Sequence, residues 1–222
     1  MKGYYLSPKI IYFRKMQNKE AYNQWSATYD EVTNKTRDKE AIAFRAILSK
    51  HKFSDVIELG CGTGKNTEWL CERSKHVLAV DFSEEMVNAA KKKISSTNVD
   101  FVIADITTPW SFINRKVDLV TCSLILEHIE NIDLIFQEVS QHLEKSGIFY
   151  IGELHPFKQY MGSKARFERD SELFVLECYT HHVSEYMNAA MSNHFSCLTI
   201  AEWFDDEDRS TPRIISFVFQ KN

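Results

Sequence analysis

Short apolar runs return four times between positions 55 and 123, each leading into a small or acidic side chain. Val56-Ile57 runs through Glu58 into a glycine-rich turn, and His76–Asp81, Val99–Asp105 and Val117–Ser123 follow. Continuous rather than alternating apolar character predicts strands buried on both faces, as in a parallel sheet. Helical patterns separate the runs. Ser83 can cap a helix with Glu84 and Glu85 in its first turn and Lys91, Lys92 and Lys93 in its last, and Met86, Val87, Ala90 and Ile94 lie on its inner side. A second helix starts near Asn131, buries Ile132, Ile135, Phe136, Val139 and Leu143, and stops before Gly147. Gly147–Leu154 then reads as a fifth strand. The last two strands, His194–Phe204 and Arg213–Lys221, have only a charged turn (Asp205-Asp206-Glu207-Asp208) between them, which predicts an antiparallel hairpin at a sheet edge.

The chemistry gathers at the strand ends. Between the first strand and its helix lies Glu58-Leu59-Gly60-Cys61-Gly62-Thr63-Gly64. Alternate glycines let a backbone turn sharply and approach a ligand closely, and the helix start behind them offers unpaired N–H groups. Asp81 lies about 20 residues further on, the spacing at which an acid meets ribose hydroxyls. In an open parallel sheet the ligand lies across the carboxyl ends of the strands, so the glycines, Asp81, Asp105 and Ser123 converge on one crevice. Gly64 is followed by Lys65-Asn66-Thr67, without the glycine or alanine that a pyrophosphate-binding turn carries there. A nicotinamide dehydrogenase is therefore the weaker option.

ELGCGTG at 58–64, VDFSEEMV at 80–87, ADI at 104–106 and DLVTCSLILEHI at 118–129 together resemble the class I S-adenosylmethionine-dependent methyltransferases, over roughly residues 55–154. The resemblance implies an α/β, Rossmann-like, doubly wound seven-stranded sheet of order 3-2-1-4-5-7-6, the last strand antiparallel, with helices on both faces. It implies S-adenosyl-L-methionine as cofactor and S-adenosyl-L-homocysteine as product. Gly60, Cys61, Gly62 and Gly64 would run beneath the sulfonium and homocysteine portion, with Glu58 orienting a water or loop amide near the amino group. Asp81 would accept from the ribose hydroxyls, and Phe82 and Met86 would flank the adenine, although ordinary core packing also explains these two. Asp105, in the segment Ala104-Asp105-Ile106, would accept from the exocyclic amine while the Ile106 N–H meets a ring nitrogen. Ser123 would close the loop after the fourth strand.

The 222 residues suffice for one α/β domain: residues 1–50 as a helical lid, 51–154 as the cofactor-binding core, 155–180 as a substrate-side insert, and 181–222 as a final helix and hairpin. Hydrophobic content of 44% and a formal net charge of -4 suit a globular chain and give no basic surface for nucleic acid. No run approaches a membrane span, and Ile10–Phe13 is too short for a signal sequence, so a cytoplasmic location is expected. The five cysteines form no CxxC pair, and His181-His182 lacks carboxylates in a ligand pattern, so no metal is expected. The fourth strand ends in Cys122-Ser123-Leu124, without the Asn/Asp-Pro-Pro-aromatic sequence of enzymes that methylate the amino groups of nucleic-acid bases.

Substrate-side candidates fall in three places. Tyr22, Trp25 and Tyr29, with Asp30 and Arg37, resemble a lid over the cofactor, and an aromatic helix at that spacing could equally be packing on the sheet. Glu127-His128 follows the fourth strand. Glu153, His155 and Gln159 leave the fifth on a loop that Pro156 stiffens. His155, ahead of His128, is the candidate acid–base or orienting group. The expected function is methyl transfer to a small metabolite, or to a natural-product or peptide intermediate, by direct in-line displacement, with a homodimer as a possible assembly. The alternative is a methyltransferase-fold protein that binds cofactor or activates a partner without turnover.

Overall fold

The structure is a computed structural model that describes residues 13–15, 17–169 and 172–222. Ile10–Tyr12 of the N-terminal apolar patch and Asp170 of the insert lie outside the described residues. In chain order the elements are β1 (Phe13–Lys15), α1 (Asn18–Trp25), α2 (Lys35–Leu48), β2 (Asp55–Leu59), α3 (Lys65–Cys71), β3 (His76–Asp81), α4 (Glu84–Lys93), β4 (Val99–Ile103) and β5 (Val117–Ser123). They continue with α5 (Ile132–His142), β6 (Leu143–Leu154), α6 (Pro156–Tyr160), β7 (Arg166–Arg169), β8 (Glu172–Val175), α7 (Val183–Ser192), β9 (Phe195–Phe204) and β10 (Pro212–Lys221).

Seven strands form one sheet in the order β4-β3-β2-β5-β6-β10-β9. Counted within that sheet, this is the expected 3-2-1-4-5-7-6. Strands β2 to β6 pair in parallel, and β10 runs antiparallel to both β6 and β9. Alternate residues feed opposite cores, which is why the strands are apolar throughout. Ile57, Leu59, Phe149 and Phe217 pack with α5 and α7 on one face, while Val56, Tyr150 and Val218 pack with Phe44, Leu48 and Trp69 on the other.

The helix caps follow the local chemistry. Ser83 Oγ accepts from the Met86 N–H at 3.2 Å, and Asn131 Oδ1 accepts from the Asp133 N–H at 3.1 Å. Asn34 Oδ1 caps α2 by accepting from the N–H groups of Thr36 and Arg37. Strand β6 begins at Leu143 rather than Gly147. Its pairing with β5 jumps from Val117↔Leu143 to Leu119↔Ile148, and Ser146 takes φ 64° within the jump.

The insert differs from a free hairpin. β7 and β8 pair antiparallel, and β1 adds to β8 in parallel as a small second sheet. Phe167, Phe174 and Leu176 pack on Ala21 and Trp25 of α1, and Phe167 stacks on Trp25 at 5.1 Å. Lid and insert are thus one packed unit. The acidic turn before β10 is engaged as well: Asp206 and Glu207 pair with Lys39 and Lys35 of α2, and Asp205 holds Arg213.

Candidate active site

Each parallel strand stops where its side chains would leave the core, and the loops beyond enclose a cavity of about 600 Å³. The glycine turn is tied to β3. The Gly60 and Cys61 N–H groups both donate to Val80 O, at 2.8 and 3.0 Å. The Gly62 N–H donates to Asp81 Oδ2 at 2.8 Å, and the Ser83 N–H to Asp81 Oδ1 at 2.9 Å. Gly60, Gly62 and Gly64 all have positive φ, of 69°, 53° and 85°. Their surroundings separate them. A Cβ on Gly60 would meet Ile125 at 2.1 Å and one on Gly64 would meet Ile94 at 2.5 Å, whereas Gly62 has nothing within 4 Å. Gly62 is the position where a side chain would project into the cavity. Gly64 does not line the cavity and serves the packing of α3 on α4.

The cavity is rich in acids: Asp30, Glu40, Glu58, Asp81 and Asp105 face it, against Lys19, Arg37 and Lys65. Burial raises the Asp81 carboxyl above its ordinary range, opposed by the two amide bonds it accepts. Glu58 accepts from Thr67 Oγ1 at 2.5 Å, and burial, helped by the nearby Glu40 charge, pushes its carboxyl up to about 8. Glu40 accepts from Asn66 Nδ2 and Tyr150 Oη, both at 3.3 Å, and burial pushes it up to about 7.

Sequence reasoning missed Glu40, although a signal existed. It lies four residues before Phe44 and eight before Leu48, on the stripe that α2 buries. Gly152 makes room for it, since a Cβ there would stand 2.6 Å from Glu40 Oε1.

Phe82, the buried Met86, Ala104, Asp105, Ile106 and Ser123 complete the wall. Asp105 Oδ1 accepts from the Thr107 N–H and hydroxyl, while Ala104 N–H donates to Asp81 O. The Ile106 N–H makes no hydrogen bond among the described residues.

Over the cavity lies the lid. Thr63 Oγ1 donates to Asp30 Oδ1 at 2.7 Å, Lys93 Nζ donates to Asp30 Oδ2 at 3.1 Å, and Ser83 Oγ donates to Asn23 Oδ1 at 2.6 Å. Tyr22 Oη lies 2.9 Å from His128 Nε2, and His128 Nδ1 lies 3.0 Å from Glu177 O. A carbonyl only accepts, so Nδ1 carries the proton and Nε2 accepts from the phenol. Burial holds Tyr22 well above the ordinary phenol range. Tyr29 also lines the cavity, with the Arg37 guanidinium 4.0 Å over its ring.

The candidates from the loop after β6 sit elsewhere. His155 is not among the cavity-lining residues. Its Nδ1 accepts from the Phe157 N–H at 3.1 Å as the cap of α6, and its Nε2 meets Glu202 Oε1 at 3.0 Å. Glu153 is buried and does not reach the cavity. It accepts from the N–H groups of Ile125 and Leu126 at 2.9 and 2.8 Å, and burial pushes its carboxyl up to about 8. It thereby holds the turn in which Leu124 takes a strained φ of 57°. Gln159 Nε2 lies 3.4 Å from Glu127 Oε2. His181 faces the carbonyls of Leu126 and Ile129.

Among the described residues no group of three or more His, Cys, Asp or Glu is placed to hold a metal ion. Among them, too, no helix is long and apolar enough to cross a membrane.

Comparison with known proteins adds to this geometry. A family model described as "Methyltransferase domain" matches residues 57–151. The malonyl-[acyl-carrier protein] O-methyltransferase of Bacillus cereus is 30% identical over 134 residues, 57% of this chain and 48% of its own length. The ubiquinone biosynthesis O-methyltransferase of Pelagibacter ubique is 28% identical over 102 residues, 45% of this chain and 42% of its own. The chain thus spans about half the length of the curated relatives it matches. The crystal structure of an S-adenosylmethionine-dependent methyltransferase from Clostridium acetobutylicum superposes with a TM-score of 0.69 at 21% identity, covering 91% of this chain and 99% of that one. Residues 57–151 match a methyltransferase domain and are set within a seven-stranded, Rossmann-like fold shared with structures of S-adenosylmethionine-dependent methyltransferases.

Proposed function

We propose that this protein is an S-adenosylmethionine-dependent methyltransferase that acts on a small molecule by direct in-line transfer. The observation that carries the reading is the pairing of Asp81 with the open face at Gly62. An ionised carboxylate offers about four acceptor sites, and two are used by the amides of Gly62 and Ser83. The remaining sites suit two ribose hydroxyls, and charge-assisted bonds of this kind are the stronger sort. Phe82 and Met86 supply flat and polarisable surface for an adenine. Asp105 keeps Oδ2 free of its turn, and the Ile106 N–H is available for a ring nitrogen. The acids at Glu40 and Glu58 suit a ligand that carries an ammonium and a sulfonium.

The sulfonium supplies an electrophilic methyl group and a neutral leaving group. What remains for the protein is to hold the acceptor in line and exclude water. Asp30 and Asn23 hold the lid over the cavity, and Glu153 fixes the Leu124–Leu126 turn that forms its far wall. Tyr22 and His128 position each other at the rim. Both curated relatives are named O-methyltransferases, which favours oxygen as the receiving atom here.

Isothermal titration with S-adenosylhomocysteine and with NAD tests the reading. Binding of the first and silence toward the second are expected, and the reverse overturns the assignment. Labelled methyl from S-adenosylmethionine, offered with fractionated metabolite extracts, then distinguishes an enzyme from a binder.

A further inference from the structure

Behind the lid a second cavity of about 490 Å³ shares Tyr22, Tyr29, Arg37 and Leu124 with the first. Its charge is opposite. Arg37, Lys164, Arg166 and Arg213 line it against a single carboxylate, Glu127. The chain as a whole carries a net charge of -4, so this is a local inversion. Asp205 answers Arg213 with a two-point ion pair. The other three cations have no carboxylate partner among the described residues. Arg37 donates to the carbonyls of Tyr29 and Val32, and its Nε is buried with no hydrogen-bond partner. Lys164 and Arg166 come from the insert at the start of β7, which α1 holds in place through Trp25 and Phe167.

The wall between the cavities offers no free base. The Tyr22 phenol is held neutral by burial, and both ring nitrogens of His128 are occupied. Glu127 is buried and accepts from Gln159. An acceptor that arrives already ionised needs no base.

We propose that the second cavity is the acceptor site and that it takes a small acid, bearing a carboxylate or a phosphonate-type oxyanion, whose ionised oxygen receives the methyl group. Lys164 and Arg166 draw the acid in, and Arg37, which lines both cavities, holds the oxyanion at their boundary. Trp25 and Tyr29, which line the cavity, border the rest of the molecule. An oxygen lone pair forms the new C–O bond as the C–S bond breaks and its electron pair leaves on sulfur. The negative charge on the acid and the positive charge on the sulfonium cancel in one step, and no proton moves. The proposal rests on the methyltransferase reading above.

The test uses the full chain, labelled S-adenosylmethionine and a matched series: phenylacetate, phenylphosphonate, phenylacetamide, phenethylamine and p-cresol. Transfer to the acids is expected. A base-labile methyl ester marks the carboxylate as receiver, and a base-stable product on phenylphosphonate marks the phosphonate. Lys164→Glu and Arg166→Glu should each lower kcat/KM for the acids on the order of tenfold, the scale of a lost charge-assisted contact. Affinity for S-adenosylhomocysteine should not change, because neither residue lines the first cavity. Preferred transfer to the amine or the phenol, or unchanged kcat/KM in both variants, overturns the proposal. Binding of the same acids is followed by NMR with and without S-adenosylhomocysteine. Absent S-adenosylhomocysteine binding would sink the methyltransferase reading. Acids that then bind the wild type but not the double variant would still uphold the anion site, and acids that bind both equally would end it.

Discussion

Asp81 is a strut, and in the proposed reading a ligand acceptor as well. Its two amide bonds pin the glycine turn to β3, so a substitution disturbs the loop as well as the proposed ribose contact. Asp81→Ala should weaken S-adenosylhomocysteine binding by roughly 1.5–3 kcal/mol, the scale of lost hydrogen bonds to a charged group. Unchanged affinity by calorimetry would remove Asp81 from the ribose. His155 leads to the opposite expectation. As a cap and the partner of Glu202 it contributes to stability, and His155→Ala should cost about 0.5–2 kcal/mol in denaturant unfolding. Turnover and cofactor affinity should stay at wild-type levels, and a selective loss of kcat would return the residue to the chemistry. The sequence placed His155 near the site because it follows a strand whose carboxyl end faces the crevice. The chain turns into α6 there, and the ring is drawn back to the Phe157 N–H.

At the scale of elements, the strands were legible because burial on both faces removes alternation, leaving apolar runs that end abruptly at the site. The helix caps were equally plain at Ser83 and Asn131. The lid was not, because an aromatic helix looks the same whether it packs or lines a cavity. Here it does both: Trp25 stacks on Phe167 of the insert while Tyr22 and Tyr29 line the cavities. Glu40 was hidden for a related reason, since one carboxylate on an amphipathic helix resembles any solvated one until its partners, Asn66 and Tyr150, are brought near by the fold. The lid's attachment is concentrated in few bonds. Asp30 joins it to Thr63 of the glycine turn and to Lys93 at the end of α4. Asp30→Ala should raise hydrogen exchange across residues 18–33 and weaken S-adenosylhomocysteine binding several-fold, with little change in exchange over β2–β6. Exchange that stays at wild-type levels over 18–33 would show that the Asn23 and Tyr22 bonds and the Trp25–Phe167 packing hold the lid without Asp30.

At the scale of the whole molecule, the site holds acids that burial keeps protonated: Glu40 titrates at about 7 and Glu58 at about 8, against an ordinary value of 4.5 for each. Glu153, with a value of about 8, adds to them from beneath the Leu124–Leu126 turn. Between about pH 4.5 and 8 the folded chain therefore binds more protons than the unfolded one, and its stability falls as pH rises through that window. A bound ammonium or sulfonium reverses the preference by favouring the ionised carboxylates, so binding releases protons and tightens as pH rises. Without ligand, the wild type should melt at lower temperature at pH 8.5 than at pH 5.5. Glu58→Gln keeps an acceptor for Thr67 while removing one titration, and should recover about 2–4 °C of that fall, the shift that about 1 kcal/mol produces in a chain of this size. The rise in melting temperature on adding S-adenosylhomocysteine should be larger at pH 8.5 than at pH 5.5 in the wild type, and less pH-dependent in the variant. A stabilisation by ligand that is flat in pH would mean that Glu58 and Glu40 do not face the ligand's positive charge, and that the acidic lining of the first cavity serves the fold alone.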